Sequence, residues 1–453
     1  MPTSTTVVAI PIVDTSYSMT SSGYVAITVI DTKAFLSNAL AGDYIGVASY
    51  DTSGRTSYNL TLVDQALTVP QAAANTVQNL SFTGNCTNMG SGLQTGVSML
   101  ANAPAGVNKG LVLLSDGYQN CGTSPIPLPA GTPRVYSCAM GPASDQGLMQ
   151  NIATQSGGKY YYAPYVYNMM QIYNQIRAQT PASQLLVNAY KNATPYDSLL
   201  IPATISAGND LGQFSVVWSD ASIPYVNGQP GLNQISVTLV NPSGQVLTPS
   251  PSLQGGGYVV FNIPNPPTGL WYIQIEYGGD KPQGLTGGAF EFSPSGKAAL
   301  IHMSVEAPEV AKAGASIPIA VNLEEDGTPM QGHVIHTTLT KPKISVRNAL
   351  VAYAYMLKDI ALPDNVADAC PKDKLDMAKL AVLHNTHMPT MDLLPHVKSS
   401  SFLTHGKDGK YSMAIPDTLE AGTYNLQFEV TGVSSKSGTA FSRSHLVSIL
   451  VND

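Results

Sequence analysis

The sequence predicts a multidomain protein: an α/β unit with a doubly wound, mostly parallel sheet, then two all-β sandwich domains, the last with a helical insert. Three observations lead there. The chain has 453 residues, room for about three domains of roughly 150 residues each. From residue 7 to 179, short β-branched runs alternate with helical stretches, the pattern of strands joined by crossover helices. After Thr180-Pro181 the helical period gives way to short apolar runs separated by turn signals, as in a sandwich. The implied domains are 1–183, 184–297 and 298–453.

In the α/β unit, strands are expected at 7–13, 44–50, 58–63, 110–115, 134–139 and 159–162, with helices at 24–40, 69–78, 89–101, 145–156 and 166–179. Pro11 falls inside the first strand and removes a ladder donor, so a bulge or a skipped bond is expected there. The second unit shows strand-like runs at 214–218, 235–239, 258–263 and 270–277, with Asn241-Pro242-Ser243-Gly244 as a typical turn between them. The third shows runs at 300–305, 317–323, 333–340, 411–415, 422–430 and 443–451. Between 343 and 398 the pattern turns helical: 347–362 is rich in Ala, Leu, Tyr and Met, Pro363 stops it, and 372–384 resumes a helical period. This reads as a helical insert in a strand connection, its apolar stretch 349–362 covering a sandwich face rather than entering a membrane.

Composition excludes several classes. Hydrophobic residues make up 43% and charged residues 11%, with a net charge of −7 and no charge runs, which argues against intrinsic disorder. Twenty-two basic residues without clusters, against 29 acidic ones, argue against nucleic acid as a partner. Charges are sparse before residue 297 and denser after it, and all 8 His follow residue 300, which places a seam near 297. No apolar run reaches the ~20 residues of a spanning helix, so no transmembrane segment is expected. Residues 1–6 show neither a basic region nor an apolar leader; the expected location is extracellular or cell-surface if a leader was removed, and cytoplasmic otherwise. Four Cys are too few for disulfides to hold a chain of this length together.

The chemistry concentrates in three places. Asp14-Thr15-Ser16-Tyr17-Ser18 follows the first strand; Thr87 opens a helix in Asn85-Cys86-Thr87-Asn88-Met89-Gly90; Asp116 ends the strand Leu111-Val112-Leu113-Leu114-Ser115. Open α/β sheets gather ligands at the carboxyl ends of their strands, near the switch point. Taken singly, Asp14 and Ser16 also suit a helix cap. Together the hydroxyls and carboxylates make an all-oxygen set for a hard cation, and Mg²⁺ is expected ahead of Ca²⁺ or Mn²⁺. Such an ion would keep one coordination position facing solvent. No base in these motifs could use a metal-bound water, so recognition is expected and not catalysis.

Residues 5–180 resemble the von Willebrand factor type A domain and its metal-ion-dependent adhesion site, with Asp14, Ser16 and Ser18 matching the first motif, Thr87 the second and Asp116 the third. The resemblance implies a Rossmann-like fold in which the hydroxyls and the two Asp side chains hold one divalent cation, directly or through water. It also implies that a protein or anionic surface ligand supplies an acidic group to the ion, with the sandwiches serving as spacer and secondary docking surface. Pro267-Thr268-Gly269-Leu270-Trp271-Tyr272-Ile273 is similar to sandwiches that follow type A domains in secreted bacterial proteins and in the calcium-activated chloride channel regulator family. Glu325-Asp326-Gly327-Thr328-Pro329-Met330 and Gly422-Thr423-Tyr424 are similar to immunoglobulin-like or fibronectin-like modules. The regulator family's His-Glu-x-x-His helix is absent from the sequence, so its self-cleavage is not implied.

Other readings stay open. Cys86 and Cys121 lie in loops at one end of the sheet and are either a bridge pinning those loops or two buried thiols; Cys138 and Cys370 are expected to be free. His384, His387, His396 and His405 could form a metal cluster, which would make the protein a metallohydrolase, though no Cys or carboxylate completes a tetrahedral set. Tyr160-Tyr161-Tyr162-Ala163-Pro164-Tyr165 is either a contact surface or the closure of a sheet end. Few charges, many Tyr and tandem sandwiches also suit a structural or self-assembling surface or toxin-like protein.

Overall fold

The structure, a computed structural model, describes residues 6–165, 168–179, 183–293, 300–370, 372–387, 392–404, 406–407 and 409–453. Strands β1 (Val7–Asp14), β2 (Tyr44–Tyr50), β3 (Gly54–Leu62), β4 (Asn108–Ser115), β5 (Arg134–Met140) and β6 (Lys159–Ala163) form one sheet in the order β3-β2-β1-β4-β5-β6. All neighbours are parallel except the β2–β3 hairpin. The connecting helices are α1 (Tyr17–Ser21), α2 (Val25–Ser37), α3 (Thr68–Gln78), α4 (Met89–Met99), α5 (Gln146–Ser156) and α6 (Met169–Arg177). The expected helix at 166–179 is thus seen from Met169, residues 166 and 167 lying outside the described residues.

Continuous apolar runs suit strands buried on both faces. Val8, Ile10 and Ile12 join Leu111, Leu113 and the α4 residues Met89 and Leu93 in one core. Val13, Val112 and Leu114 join residues of α2, α3 and α6 in the other. Pro11 pairs with Val112, while the β1–β2 ladder passes from Ala9↔Ile45 to Ile12↔Ala48, so the skipped bond falls on the β2 side. Helix α2 is buried from Thr28 to Ser37 because protein covers both its faces. On the side away from the sheet, Ser37 Oγ donates to Tyr258 Oη at 3.1 Å and Lys33 Nζ stands 5.9 Å from the centre of that ring.

The rest of the chain builds four sheets, almost wholly antiparallel, in two facing pairs. The first pair includes Leu211–Trp218, Tyr258–Pro264 and Gln283–Phe292 in one sheet and Ile235–Val240, Gly269–Tyr277 and Ser198–Ile205 in the other. Trp218, Trp271, Phe214 and Phe261 fill the shared core. The second pair includes Ile301–Glu306, Ile317–Glu325 and Lys410–Ile415 in one sheet and Val334–Pro342, His396–Thr404, Gly422–Val433 and Ala440–Asn452 in the other, around Tyr411, Tyr424, Phe428 and Phe441.

Neither pair holds the α/β part at a distance, as a spacer would. The first packs on α2, and the second closes the β6 edge. Tyr160 and Thr423 share a hydroxyl hydrogen bond at 2.8 Å, and Asn425 Nδ2 donates to the Tyr162 carbonyl at 2.9 Å. The buried tyrosine run therefore ends the sheet against another part of the same chain. Arg443 and Glu291 form an ion pair at 2.6 Å between the two strand systems, each about 1% exposed.

The helical insert joins Val334–Pro342 to His396–Thr404, which pair antiparallel. It contains α7 (Val346–Ala352), α8 (Ala354–Leu357), α9 (Asp364–Ala369) and α10 (Leu375–His387). The expected long helix at 347–362 is two short ones, and its apolar residues do not cover a sandwich face. Ala349 and Leu357 instead build a small core with Leu380, Leu383, Leu393 and Leu394. Among the described residues no helix is long and apolar enough to cross a membrane.

Candidate metal centre

The chain order reverses between β1 and β4, which lie side by side, so their carboxyl ends form the switch point. Asp14 ends β1 and Ser115 ends β4. Asp14 is fully buried: its Oδ1 accepts from the Ser16 backbone N–H at 2.9 Å and its Oδ2 from Ser115 Oγ at 2.7 Å. Tyr50 donates its hydroxyl to the Leu114 carbonyl at 2.8 Å and stands 3.4 Å from Asp14 Oδ2. The turn after Asp14 is stitched to the next loop by Tyr17 N–H to the Gly84 carbonyl at 2.8 Å and Gly84 N–H to the Thr15 carbonyl at 3.2 Å.

Ser16 occupies the position before α1, yet its side chain makes no capping bond among the described residues. Its Oγ lies 2.9 Å from Ser18 Oγ, and Ser18 Oγ donates to Asp116 Oδ1 at 2.7 Å. With the Ser18 proton committed to Asp116, Ser16 is the donor to Ser18, so a hydroxyl chain runs toward the carboxylate. Thr87 reaches the same place from another loop: a methyl group placed on Gly117 would stand 3.5 Å from both Ser18 Oγ and Thr87 Oγ1. Both hydroxyls thus border one gap, left open by a residue without a side chain. Ser16, Ser18, Thr87 and Asp116 line a cavity of about 50 Å³, with Asp14 beneath it; that is room for an ion and its nearest waters.

Burial raises the pKa of the Asp14 carboxyl, and burial followed by the negative charge of Asp14 pushes Asp116 up to about 7. Two carboxyls held together out of water resist ionising together unless a cation joins them. Asp116 Oδ2 is buried and accepts no hydrogen bond of ordinary geometry among the described residues. Buried polar atoms are rarely left so. An orphaned carboxylate oxygen, three hydroxyls and a small cavity fit a hard divalent cation in donor chemistry and in space.

Residues 10–175 match the family model of the von Willebrand factor type A domain. This part of the chain is a type A domain. Among solved structures, the chain is similar to a von Willebrand factor type A protein from Catenulispora acidiphila, with 15% identity and a TM-score of 0.37 over 71% of this chain and 63% of that one. It therefore spans less than two thirds of that protein. It is also similar to the ArnB paralog VWA2 from Sulfolobus acidocaldarius, with 11% identity and a TM-score of 0.32 over 71% of this chain and 62% of that one. A third is proximal thread matrix protein 1 from the mussel byssus, in a form whose metal-ion-dependent adhesion site holds zinc, with 16% identity and a TM-score of 0.33 over 42% of this chain and 50% of that one. No curated protein matches the chain.

The type A domain uses more residues at this site than the motifs reveal. Ser115 and Tyr50 fix the Asp14 carboxylate, while Asn120 Oδ1 accepts from the Thr87 N–H at 2.7 Å and holds the Thr87 loop. The Cys86–Cys121 disulfide, with Cα atoms 6.1 Å apart, ties that loop to the segment after Asp116. Asn120 follows Asp116 by four residues, but its target lies in another loop, so only the bridge had a sequence signal. Cys138 is buried and Cys370 half-buried, both as free thiols.

The outward side of the cavity is narrowed but not closed by the insert, whose Leu362, Cys370, Ala378 and Ala381 share its lining. Of the late histidines, His384 and His396 lie near the same Tyr165 and Asp392. His384 Nδ1 lies 3.8 Å from Asp392 Oδ1, and His396 meets the Tyr165 ring edge-on at 5.5 Å. Burial lowers the pKa of both, that of His396 to about 4. The side chains of His387 and His405 lie outside the described residues. No group of three His, Cys, Asp or Glu among the described residues is placed to hold a metal.

Proposed function

We propose that the type A domain is a metal-dependent recognition module. Ser16, Ser18, Thr87 and Asp116 surround the divalent cation, and Asp14 supplies charge from below. The observation that carries this reading is the buried Asp116 carboxyl, which accepts from Ser18 Oγ at 2.7 Å and lines one cavity with the Ser16 and Thr87 hydroxyls. Mg²⁺ suits a compact set of hydroxyl and carboxylate oxygens that leaves several positions to water. An ion whose charge is only just balanced by two carboxylates attracts a further anionic ligand, and we assign that role to an acidic side chain of a protein partner or to an anionic surface group. The reading includes no catalytic step, both carboxylates being assigned to the ion. The Cys86–Cys121 bridge supports an oxidising compartment outside the cytoplasm.

Calorimetric titration with MgCl₂ tests the proposal. The wild-type chain should bind one equivalent, while Asp14→Ala and Asp116→Ala should lose at least 100-fold in affinity with unchanged circular dichroism. Equal Mg²⁺ affinity in all three would remove the reading.

A further inference from the structure

The roof over the cavity is built from parts that have no business holding a cation. Leu362, Cys370, Ala378 and Ala381 offer three hydrocarbon surfaces and one thiol, so none of the four supplies the oxygen a hard cation would seek. The roof is nevertheless fastened to the type A domain beside the site. Tyr118, two residues after Asp116, donates its hydroxyl to Met377 Sδ at 3.1 Å, and Lys374 Nζ stands 5.1 Å from the centre of its ring. Helix α9 touches α1, the helix that carries Ser18. Farther out, Tyr165 donates to Asp392 Oδ2 at 2.5 Å and its ring lies 6.3 Å from that of His384. The insert also has its own core, so it can move as a unit. Its two ends meet at one stem, where the Lys343 N–H donates to the Pro395 carbonyl at 2.8 Å.

We propose that this chain's own helical insert is the resident occupant of the face around the metal, and that an acidic protein partner binds only when the insert lifts. This rests on the metal reading above. The insert excludes carboxylates without replacing them: it narrows the outward side of the cavity with apolar surface and leaves the ion short of an anionic ligand. An external acidic side chain would satisfy the ion where the insert does not. The fastenings at Tyr118 and Tyr165 are a few polar and ring contacts, each worth little alone, so the closed arrangement opens under modest competition. The partner thus competes with a tethered segment, whose effective concentration is high because both lie on one chain.

Cys370 reports on the roof directly, because the remaining free thiol, Cys138, is fully buried. In the full chain loaded with Mn²⁺, two rates are measured: maleimide labelling of Cys370, with Cys370→Ser as the blank, and Mn²⁺ release into excess chelator. Tyr118→Phe/Tyr165→Phe removes both hydroxyls that bond the insert, at nearly constant size, and should raise both rates at least tenfold; Met377→Ala, a second way to loosen the Tyr118 contact, should act in the same direction. Unchanged rates in both variants overturn the proposal while leaving metal binding intact. Faster labelling in chains that bind no Mn²⁺ overturns the metal reading on which the proposal depends, and the movable cover alone survives.

Discussion

Asp31 sits in the middle of α2 at 2% exposure, where its Oδ2 has no hydrogen-bond partner among the described residues. Burial raises its pKa well above the ordinary 3.8, against a weaker opposing effect from the Met170 backbone N–H. The unfolded chain releases this proton near the ordinary value and the folded chain keeps it to higher pH. The stability associated with Asp31 is therefore fully present below about pH 3.8 and is lost as pH rises toward the folded value, by up to about 1.4 kcal/mol per pH unit. Asp31→Asn removes that dependence. Denaturant unfolding at pH 4, 5 and 6 should show wild type losing ground to the variant at each step, and a constant difference would mean that Asp31 ionises normally. Nothing in the sequence marks this residue: it is buried because α6 packs over it, with Met170 and Tyr173 as its neighbours.

The loops at the switch point act as one element held by three kinds of tie. Asp14 and Ser115 come from adjacent strand ends, the Gly84 stitch joins the first loop to the second, and Cys86–Cys121 joins the second to the third. A bridge across 35 residues restricts the unfolded chain by about 3–4 kcal/mol in the chain-entropy account. Cys86→Ser/Cys121→Ser should lower unfolding free energy by about that much, measured by denaturant titration. It should also weaken Mg²⁺ binding, because the Thr87 loop then relies on hydrogen bonds such as those to Asn120 and Gln119; an unchanged affinity would show that the hydrogen bonds suffice. The elements themselves were largely readable. Strands β1, β2, β4, β5 and β6 lie within a residue or two of their expected positions, since their apolar runs need burial on both faces. Gln283–Phe292 escaped because Gly284, Gly287 and Gly288 interrupt its pattern, and Ser183–Ala193 because its polar residues give no clear alternation. Gly288 lies against Asn174 of α6, where a side chain would collide.

At the scale of the molecule, the type A domain and the two sandwiches are joined by polar groups buried between them. Arg443 donates to the Ile301 carbonyl at 2.9 Å and to Glu291 Oε1 at 2.6 Å, and Glu291 also accepts from Ser206. Removing one partner of such a pair leaves an uncompensated charge and costs about 3–5 kcal/mol, whereas replacing both with apolar residues of similar size is often neutral. Arg443→Met should therefore destabilise the chain strongly, and Arg443→Met/Glu291→Leu should recover most of the loss. Thermal melts of the two variants check this; a double variant no better than the single one would mean that Ser206 and the Ile301 carbonyl, left without partners, dominate.

The sequence by itself determined the α/β alternation, the all-β remainder, the helical insert and the identity of the five oxygen-bearing residues. Those follow from local periodicity, strand ends and turn chemistry, which a chain carries without reference to its distant parts. Only the tertiary structure decided that Asp14 is buried behind Ser16 and Ser115, that Asp116 shares one cavity with the hydroxyls of Ser16, Ser18 and Thr87, that α2 and the Tyr160–Tyr162 run are buried with help from the sandwiches, and that the insert joins the lining of the site. Each of these depends on contacts between segments far apart in the chain, where burial and packing override the local pattern.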